Sequence, residues 1–291
     1  MLDLYLLHYC VEGVPPADPT VVVDPPVPHA LQVVAPQEEP HLPAVLAPQV
    51  PARQARSPEK RGRGSNLGGS LSGKEAVARR AAELVASEAP EVLGVGSGTT
   101  VRLFIKYLKE FGFSGLTVPT SYDTALELKK HGLKVLDLMS VDEVELSVDG
   151  ADEVFTMNGS LYAVKGGGAA MLREKVLAYI SRKRIYIVDE GKVSGSPCSR
   201  GVPVPAEVVP SSLPAVARGL KLLGVGWKLR EAKGKLGPVV TDNGNLVIDM
   251  DCKSSINVIE KVEALPGVAV TGLFGPDLID KVVVGERGEL P

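Results

Sequence analysis

The segment Val92-Leu93-Gly94-Val95-Gly96-Ser97-Gly98-Thr99-Thr100 indicates the fold class most clearly. Its first half is a short apolar run, typical of a strand buried on both faces, and a glycine-rich turn then leads into a helix over Thr99–Phe111. The alternation of strand and helix continues through Arg184–Asp189. Strands that alternate with helices of about 10–15 residues predict right-handed βαβ units. We therefore expect an α/β fold: an open, mostly parallel sheet with helices on both faces.

The chain outside this stretch divides into parts of different composition. More than half of the 23 prolines precede residue 66, so residues 1–70 are predicted to be a disordered, Pro-rich leader whose deletion leaves activity unchanged. The larger, α/β domain is predicted over residues 71–205 and 274–291. Residues 206–273 predict a small inserted α+β (ferredoxin-like) domain, because helices flank a hairpin that turns at Asp242-Asn243-Gly244-Asn245.

Composition excludes several classes of protein. The 291 residues carry a formal net charge of −3, so no overall basic field favours nucleic acid. No apolar run approaches the roughly 20 residues of a membrane span. Cys10, Cys198 and Cys252 lie far apart without CxxC spacing, which predicts neither a disulfide framework nor a zinc site. These features together predict a cytoplasmic protein in a reducing compartment.

The turn Gly96-Ser97-Gly98-Thr99-Thr100 is the first candidate binding segment. It lacks the third glycine of a dinucleotide fingerprint and the lysine of a Walker loop. Its glycines allow a ligand to approach the backbone, and hydroxyls and free amides lie together at a helix N-terminus. This combination suits a phosphate monoester, although an ordinary tight turn between strand and helix is the alternative.

Acidic residues end a second apolar strand, in Asp149-Gly150-Ala151-Asp152-Glu153. Three acids at this place could bind Mg²⁺, act as acid–base groups or solvate a turn. A third segment places Lys165 at the end of a buried strand, before Gly166, Gly167 and Gly168. Glycine carries an entropic cost, so a run of three suggests that the backbone must approach something closely.

Glu174 is the candidate general base. It falls in the first turns of a helix predicted over Gly168–Ile180, in a stripe with Ala170, Leu177 and Ala178. A second stripe (Leu172, Val176, Tyr179, Ile180) is also predicted to be buried. Glu174 could complement the helix dipole or be a partly desolvated carboxylate with a raised pKa. Lys192, just past another strand, could meet an anion or be solvated.

Absent residue types narrow the chemistry further. Outside the leader the only histidine is His131, and no serine occupies a G-x-S-x-G elbow, which argues against a histidine-based metal site or a serine nucleophile. Carboxylates and lysines around a phosphate site remain. That set suits proton transfer next to a carbonyl group.

These segments resemble the A type of ribose-5-phosphate isomerase. They occur in the order of that family, span residues 72–291, and include a DGADE and KGGGA-x3-REK pair that is highly specific. The resembling segments are Gly94–Thr100, Pro119–Ser121, Val148–Glu153, Lys165–Ala169, Arg173–Lys175, Val188–Lys192, Pro203–Val208 and Val240–Asn245. The phosphate turn reads Ser97-Gly98-Thr99-Thr100 where many members have Thr-Gly-Ser-Thr, and the fit is weaker after Lys192.

The resemblance implies a reversible aldose–ketose isomerisation of D-ribose 5-phosphate and D-ribulose 5-phosphate in the non-oxidative pentose phosphate pathway. The reaction would pass through an enediolate and use no metal or other cofactor. Glu174 would move the proton between C1 and C2, Asp149 would assist ring opening, and Lys165 with Asp152 would bind the hydroxyl and enediolate oxygens. The remaining substrate contacts it implies are Ser97, Gly98, Thr99, Thr100, Lys192 and Lys74 at the phosphate, and Gly150, Ala151, Gly166, Gly167 and Gly168 along the sugar.

Relatives in that family are commonly dimers or tetramers, so a homodimer or homotetramer is expected. Three rivals stay open at this stage: a sugar-phosphate-sensing regulator, an amino-sugar-phosphate isomerase/deaminase or CoA transferase on a similar fold, and a metal-assisted isomerase. The leader shows no helix-turn-helix pattern, which disfavours the regulator. Neither the deaminase nor the transferase explains the DGADE and KGGGA pair.

Overall fold

The computed structural model describes residues 73–285 and 288–290. The predicted leader lies outside these ranges. The first helix begins at Gly73, and Glu75 in its first turn accepts a hydrogen bond of 2.9 Å from the Tyr107 hydroxyl. Within the described part of the chain, no helix is long and apolar enough to cross a membrane.

The described residues contain seven α-helices and fifteen strands. The helices are α1 (Gly73–Glu88), α2 (Thr99–Glu110), α3 (Tyr122–Lys130), α4 (Met171–Tyr179), α5 (Leu213–Leu222), α6 (Cys252–Ser255) and α7 (Ile259–Glu263). The strands are β1 (Val92–Val95), β2 (Leu116–Pro119), β3 (Lys134–Val135), β4 (Val144–Gly150), β5 (Glu153–Met157), β6 (Ser160–Val164), β7 (Ser181–Val188), β8 (Val193–Ser194), β9 (Val204–Val208), β10 (Trp227–Leu229), β11 (Leu246–Met250), β12 (Val268–Thr271), β13 (Leu273–Phe274), β14 (Lys281–Val284) and β15 (Gly288–Leu290).

The central sheet has seven strands in the order β15-β14-β7-β4-β1-β2-β3. All neighbouring pairs are parallel except β14 with β15. Leu93 and Val95 of β1 are fully buried against α1 and α2 on one face. On the opposite face α4 lies so close that a Cβ on Gly94 would come within 2.9 Å of Leu177. Helices thus cover both faces of the sheet, and the predicted α/β fold is confirmed.

The parallel strands bring the candidate segments to one edge of this sheet. β1 and β4 are neighbours, and both run toward the same edge, where the Gly96–Thr100 turn and the Asp149–Glu153 segment follow them. Ligands in open α/β sheets bind outside the carboxyl ends of the strands. The topology therefore predicts a site between these two segments.

Two further sheets have four strands each, in the orders β10-β11-β9-β12 and β13-β6-β5-β8. The buried strand that the sequence predicts before Lys165 was expected to belong to the mostly parallel sheet. The structure confirms a strand there, β6, but pairs it antiparallel with β5 through a turn at Asn158-Gly159. Both turn residues have positive φ (53° and 80°), as an Asn-Gly hairpin requires. The same dipeptide signal that indicated the hairpin at Asp242–Asn245 was therefore present here too.

The antiparallel sheet β10-β11-β9-β12 carries α5, α6 and α7, and Val208, Val216 and Ile248 lie in its apolar core. Its middle strand β9 was not predicted, because Pro203 and Pro205 interrupt the apolar pattern. β9 begins at Val204, close to the predicted start of the small domain. The domain boundaries themselves remain a prediction.

Cys198 and Cys252 form a disulfide, so the expectation of no disulfide is wrong. The two cysteines are 54 residues apart in sequence, and their Cα atoms are 5.6 Å apart in space. The sequence spacing carried no signal, because the pair is brought together only when the segment before β9 packs against α6. Cys10 lies outside the described residues.

Candidate active site

The turn after β1 is held by a carboxylate beneath it. The Ser97 amide donates a hydrogen bond of 3.1 Å to Asp149 Oδ1, which also accepts from the Gly150 amide at 2.7 Å. Only glycine fits at position 96, because a Cβ there would lie 1.8 Å from that same oxygen. The turn and the end of β4 are thus locked together before any ligand binds.

Hydroxyl groups from a neighbouring loop also brace this turn. Ser97 Oγ lies 2.9 Å from Thr120 Oγ1 and 2.8 Å from Ser121 Oγ, and Thr124 Oγ1 donates to the Gly96 carbonyl at 2.7 Å. The Ser97 side chain therefore already has partners within the protein. Thr99 and Thr100 begin α2, where the first amides of the helix favour an anion. Lys74 Nζ reaches Thr99 Oγ1 at 3.5 Å.

Lys165 lies between two carboxylates in the interior of the site. Its Nζ is 2.9 Å from Asp149 Oδ2 and 3.3 Å from Glu174 Oε1, and it also donates to the Gly150 carbonyl. Lys165 is only 2 % exposed and Glu174 only 5 %. The rings of Tyr186 and Phe274 each lie 5.6 Å from the ammonium group. The three charges are therefore held close together and away from bulk water.

Burial dominates the electrostatics of this cluster. Burial and, after it, the nearby Asp149 raise the pKa of Glu174 to about 8, although Lys165 opposes the shift. Burial also raises the pKa of Asp149, against the effect of Lys165 and the two backbone donors. For Lys165 burial alone would lower the pKa, but Asp149 and Glu174 together raise it above its usual value. One cation thus faces two carboxylates, and a proton on Glu174 makes the cluster neutral.

Asp152 and Lys192 extend the site toward the loop after β6. Asp152 Oδ2 accepts from the Gly167 amide at 2.7 Å, and a Cβ on Gly167 would lie 2.8 Å from Asp152 Oδ1. Lys192 Nζ donates to the Ala151 carbonyl, and burial lowers its pKa. The tight approach explains why this loop contains glycine.

A cavity of about 290 Å³ opens between the Ser97–Thr100 turn and the segment from Lys165 to Gly168. All of its lining residues belong to the set predicted from the sequence: Ser97, Gly98, Thr99, Thr100, Gly150, Ala151, Asp152, Lys165, Gly166, Gly167, Gly168, Glu174 and Lys192. Two predicted residues do not line it. Asp149 lies behind Lys165, and Lys74 reaches the cavity through Thr99.

Glu153 is separate from this cavity. It is fully buried, and its Oε1 accepts a hydrogen bond of 2.6 Å from Ser194 Oγ on β8. The hypothesis of a magnesium site built from Asp149, Asp152 and Glu153 requires these side chains to converge. Within residues 73–285 and 288–290, no group of three His, Cys, Asp or Glu side chains is placed to hold a metal ion.

One of the two stripes predicted for α4 is buried and the other is not. Met171, Glu174, Leu177 and Ala178 are buried, which confirms the stripe that carries Glu174. Val176 and Tyr179 are 41 % and 80 % exposed, so the prediction that they are buried is wrong. The sheets cover only one side of this helix.

Sequence reasoning missed the residues that hold the site from a distance. Arg173, next to Glu174, donates through Nε to Asn243 Oδ1 at 2.8 Å, and Asn243 Nδ2 donates to Glu207 Oε1 at 2.9 Å. Phe274 reaches Lys165 from more than 100 residues along the chain. The resemblance singled out the segments that contain Arg173, Glu207 and Asn243, but nothing local in the sequence indicated that they meet.

Comparisons with known proteins agree with this geometry. The family model described as Ribose 5-phosphate isomerase A (phosphoriboisomerase A) matches residues 116–289. The chain is 40 % identical over 227 residues to the ribose-5-phosphate isomerase A of Archaeoglobus fulgidus, covering 74 % of this chain and 95 % of that protein. It is 37 % identical over 204 residues to that of Pyrococcus horikoshii, covering 67 % of this chain and 87 % of the relative.

Solved structures give the same result. Ribose 5-phosphate isomerase A from Methanocaldococcus jannaschii matches with a TM-score of 0.67 and 32 % identity, covering 75 % of this chain and 96 % of the other. A D-ribose-5-phosphate isomerase in complex with phospho-erythronic acid matches with a TM-score of 0.68 and 35 % identity over the same shares. With these relatives covering more than two thirds of its length, the chain belongs to the ribose 5-phosphate isomerase A family.

Proposed function

We propose that the 290 Å³ cavity binds ribose 5-phosphate and ribulose 5-phosphate and interconverts them by proton transfer on Glu174. The observation that carries this proposal is the position of Glu174. Its Oε1 faces Lys165, while its Oε2 is buried and has no hydrogen-bond partner in the described part of the chain. A buried oxygen without a partner is costly unless a ligand supplies one, and this oxygen belongs to a residue that lines the cavity.

The phosphate group is assigned to the turn Ser97–Thr100. Main-chain amides at the start of α2 and the threonine hydroxyls can donate to phosphate oxygens, and the dipole of the helix favours the negative charge. Lys192 lines the same cavity, and Lys74 lies at the rim. Binding the phosphate at one end fixes the reacting carbons near Glu174 at the other.

The chemical step follows from the charges of the cluster. In the open-chain aldose, Glu174 takes the proton from C2, the C–H electrons form the C1–C2 double bond, and the carbonyl electrons move onto O1. Lys165 stabilises the negative charge on the oxygens of this enediolate. Glu174 then returns the proton to C1 while O2 becomes the carbonyl oxygen and the hydroxyl proton moves from O2 to O1. Because burial raises its pKa to about 8, the carboxyl group both accepts and releases a proton near neutral pH.

Asp149 and Asp152 are assigned supporting roles. Asp149 is buried behind Lys165 and holds it by a 2.9 Å ion pair; because Asp149 does not line the cavity, we assign it to the opening of the sugar ring through Lys165 and not by direct contact with the sugar. Asp152 faces the cavity and is oriented by the Gly167 amide, which suits a hydrogen bond to a sugar hydroxyl. The steps described here use no metal ion.

The experiment is to follow ribulose 5-phosphate formation from ribose 5-phosphate with the full chain in excess EDTA. We expect turnover at the rate seen without EDTA. Loss of activity that Mg²⁺ or Mn²⁺ restores would instead indicate a metal-assisted isomerase. Tight binding of ribose 5-phosphate without turnover would indicate a sensor.

We also propose that the protein acts as a homodimer or homotetramer in the cytoplasm, where the Cys198–Cys252 disulfide would meet a reducing environment. Apolar side chains stay exposed around α3 and α4: Tyr122 is 60 % exposed, Leu126 68 %, Met139 97 % and Tyr179 80 %. Large apolar side chains that stay exposed to this degree are typical of a contact with another subunit. Light scattering coupled to gel filtration tests the state of assembly, and thiol trapping in cell extracts tests whether the Cys198–Cys252 disulfide persists in that compartment.

A further inference from the structure

Arg230 connects the antiparallel sheet to the glycine loop of the site. It follows β10, and its Nη1 donates to the carbonyl oxygens of Gly166 at 2.7 Å and Gly167 at 3.3 Å. Arg230 does not line the 290 Å³ cavity. It therefore acts on the loop from behind rather than on the substrate.

The Arg230 guanidinium is itself held in place. Its Nε donates to Asp249 Oδ2 at 3.0 Å, and its Nη2 donates to Asp249 Oδ1. Asp249 lies on β11 and is only 9 % exposed. A bidentate pair of this kind fixes the plane of the guanidinium, and the remaining edge is aimed at the two carbonyls.

The two carbonyls set the direction of the amides that follow them. In a trans peptide the C=O and the next N–H point in opposite directions, and no cis peptide occurs in the described residues. With the Gly166 carbonyl turned to Arg230, the Gly167 amide points the other way and donates to Asp152 Oδ2 at 2.7 Å. With the Gly167 carbonyl turned to Arg230, the Gly168 amide points away from Arg230. Gly168 is one of the residues that line the cavity.

The same loop joins the other groups of the site. Lys165 immediately precedes it, and α4, which carries Glu174, follows it with the Glu174 amide bonded to the Ala170 carbonyl at 3.0 Å. Gly166 has a φ of +101°, and a Cβ on it would lie 3.0 Å from Met171 Sδ. A glycine loop has few conformational restraints of its own, so its shape depends on outside contacts.

We propose that Arg230, held by Asp249, is a positioning residue that fixes the Gly166–Gly168 loop and so aligns Asp152 and the loop amides with the substrate. This inference rests on the proposed isomerase function. It assigns Arg230 no contact with substrate. Loss of the Arg230 guanidinium should lower kcat more than it raises KM, because the phosphate group is assigned to the Ser97–Thr100 turn and not to this loop.

The test compares Arg230→Met, Arg230→Lys and Asp249→Asn with the wild-type protein in steady-state isomerase assays. Arg218→Met is the matched control, since Arg218 is an exposed arginine on α5. We expect Arg230→Met to lower kcat about 10- to 100-fold with KM changed by less than about threefold, as small misplacements of catalytic groups do. Arg230→Lys keeps one donor, and Asp249→Asn keeps the shape of the partner, so both should lower kcat by about 3- to 10-fold. Arg218→Met should leave kcat unchanged.

Two results would overturn the inference. A kcat within about twofold of wild type in a folded Arg230→Met protein would mean that the loop keeps its shape unaided. If Arg230→Met does not fold, an unchanged kcat in Arg230→Lys and Asp249→Asn overturns the proposal in the same way. Wild-type turnover is measured in the same series, so a failure of this inference alone is separated from the case in which the wild-type chain lacks isomerase activity and both proposals fall.

Discussion

The two walls of the cavity are built on opposite physical principles. The phosphate wall (Ser97–Thr100 with Lys74 and Lys192) offers main-chain amides, hydroxyls and cations at the open side, and Gly98 and Thr99 are exposed. The carboxylate wall, made of Lys165 and Glu174 with Asp149 behind them, is almost completely buried, and none of the three residues is more than 7 % exposed. Phosphate binding and proton transfer are therefore assigned to separate groups of residues. Exposed donors hold a charged group at little cost, whereas reactive groups need burial to shift their pKa.

The largest expected effect comes from removing the base on the carboxylate wall. Glu174→Gln keeps the shape of the side chain but cannot accept a proton, so we expect kcat to fall by about 10²- to 10⁴-fold. Affinity for ribose 5-phosphate, measured by calorimetry, should change by less than about threefold because the phosphate wall is intact. Glu260→Gln, on the exposed side of α7, is the control. An equal loss of turnover and affinity would mean that Glu174 is structural.

A smaller effect is expected on the phosphate wall. Lys192→Ala removes a cation that lines the cavity, and a charge-assisted hydrogen bond of this kind contributes roughly 10- to 100-fold in affinity. We therefore expect KM for ribose 5-phosphate to rise by about that factor while kcat changes less than about threefold. Lys221→Ala, an exposed lysine on α5, should change neither constant. An unchanged KM in Lys192→Ala would exclude a phosphate contact.

The smallest expected effect is on the stability of the folded protein. It depends on pH because Glu174 is buried in the carboxylate wall. The pKa of Glu174 is about 8 in the folded protein against its usual value of 4.5, so the folded state keeps a proton that the unfolded state releases between these values. The wild-type protein therefore loses stability as the pH rises through this window, and Glu174→Gln does not share that loss.

We expect Glu174→Gln to melt several degrees above wild type at pH 9 and close to wild type at pH 5, measured by differential scanning calorimetry. Glu260→Gln should follow the wild-type curve at both pH values. A Tm difference for Glu174→Gln that is the same at pH 5 and pH 9 would show that Glu174 titrates normally in the folded state.

The two walls also differ in how far the sequence predicts them. The phosphate wall is local: Gly96 to Thr100 form one continuous turn between β1 and α2, so both its position and its ligand class follow from a short motif. The burial of Glu174 among Leu177 and Ala178 follows from helical spacing. The parallel sheet then brings the two together, because strand ends share an edge.

Contacts from distant parts of the chain could not be predicted in this way. Phe274 beside Lys165, Arg230 behind the glycine loop and the disulfide between Cys198 and Cys252 each join segments that have no fixed spacing. The exposed Tyr179 was expected to be buried because helical periodicity shows which residues share a face, and not whether another element covers that face. Such features depend on how the sheets pack against one another.

The most direct test of a buried, proton-accepting Glu174 is the dependence of kcat/KM on pH from 5 to 10. Because the base acts only when ionised, kcat/KM should rise with pH along a limb with an apparent pKa near 8 and level off above it. The substrate phosphate titrates near 6, about two pH units lower. A rise in kcat/KM caused by the phosphate can therefore be told apart from the rise caused by Glu174. A profile that is flat above pH 6.5, or that ends its rise near 4.5, would contradict the account.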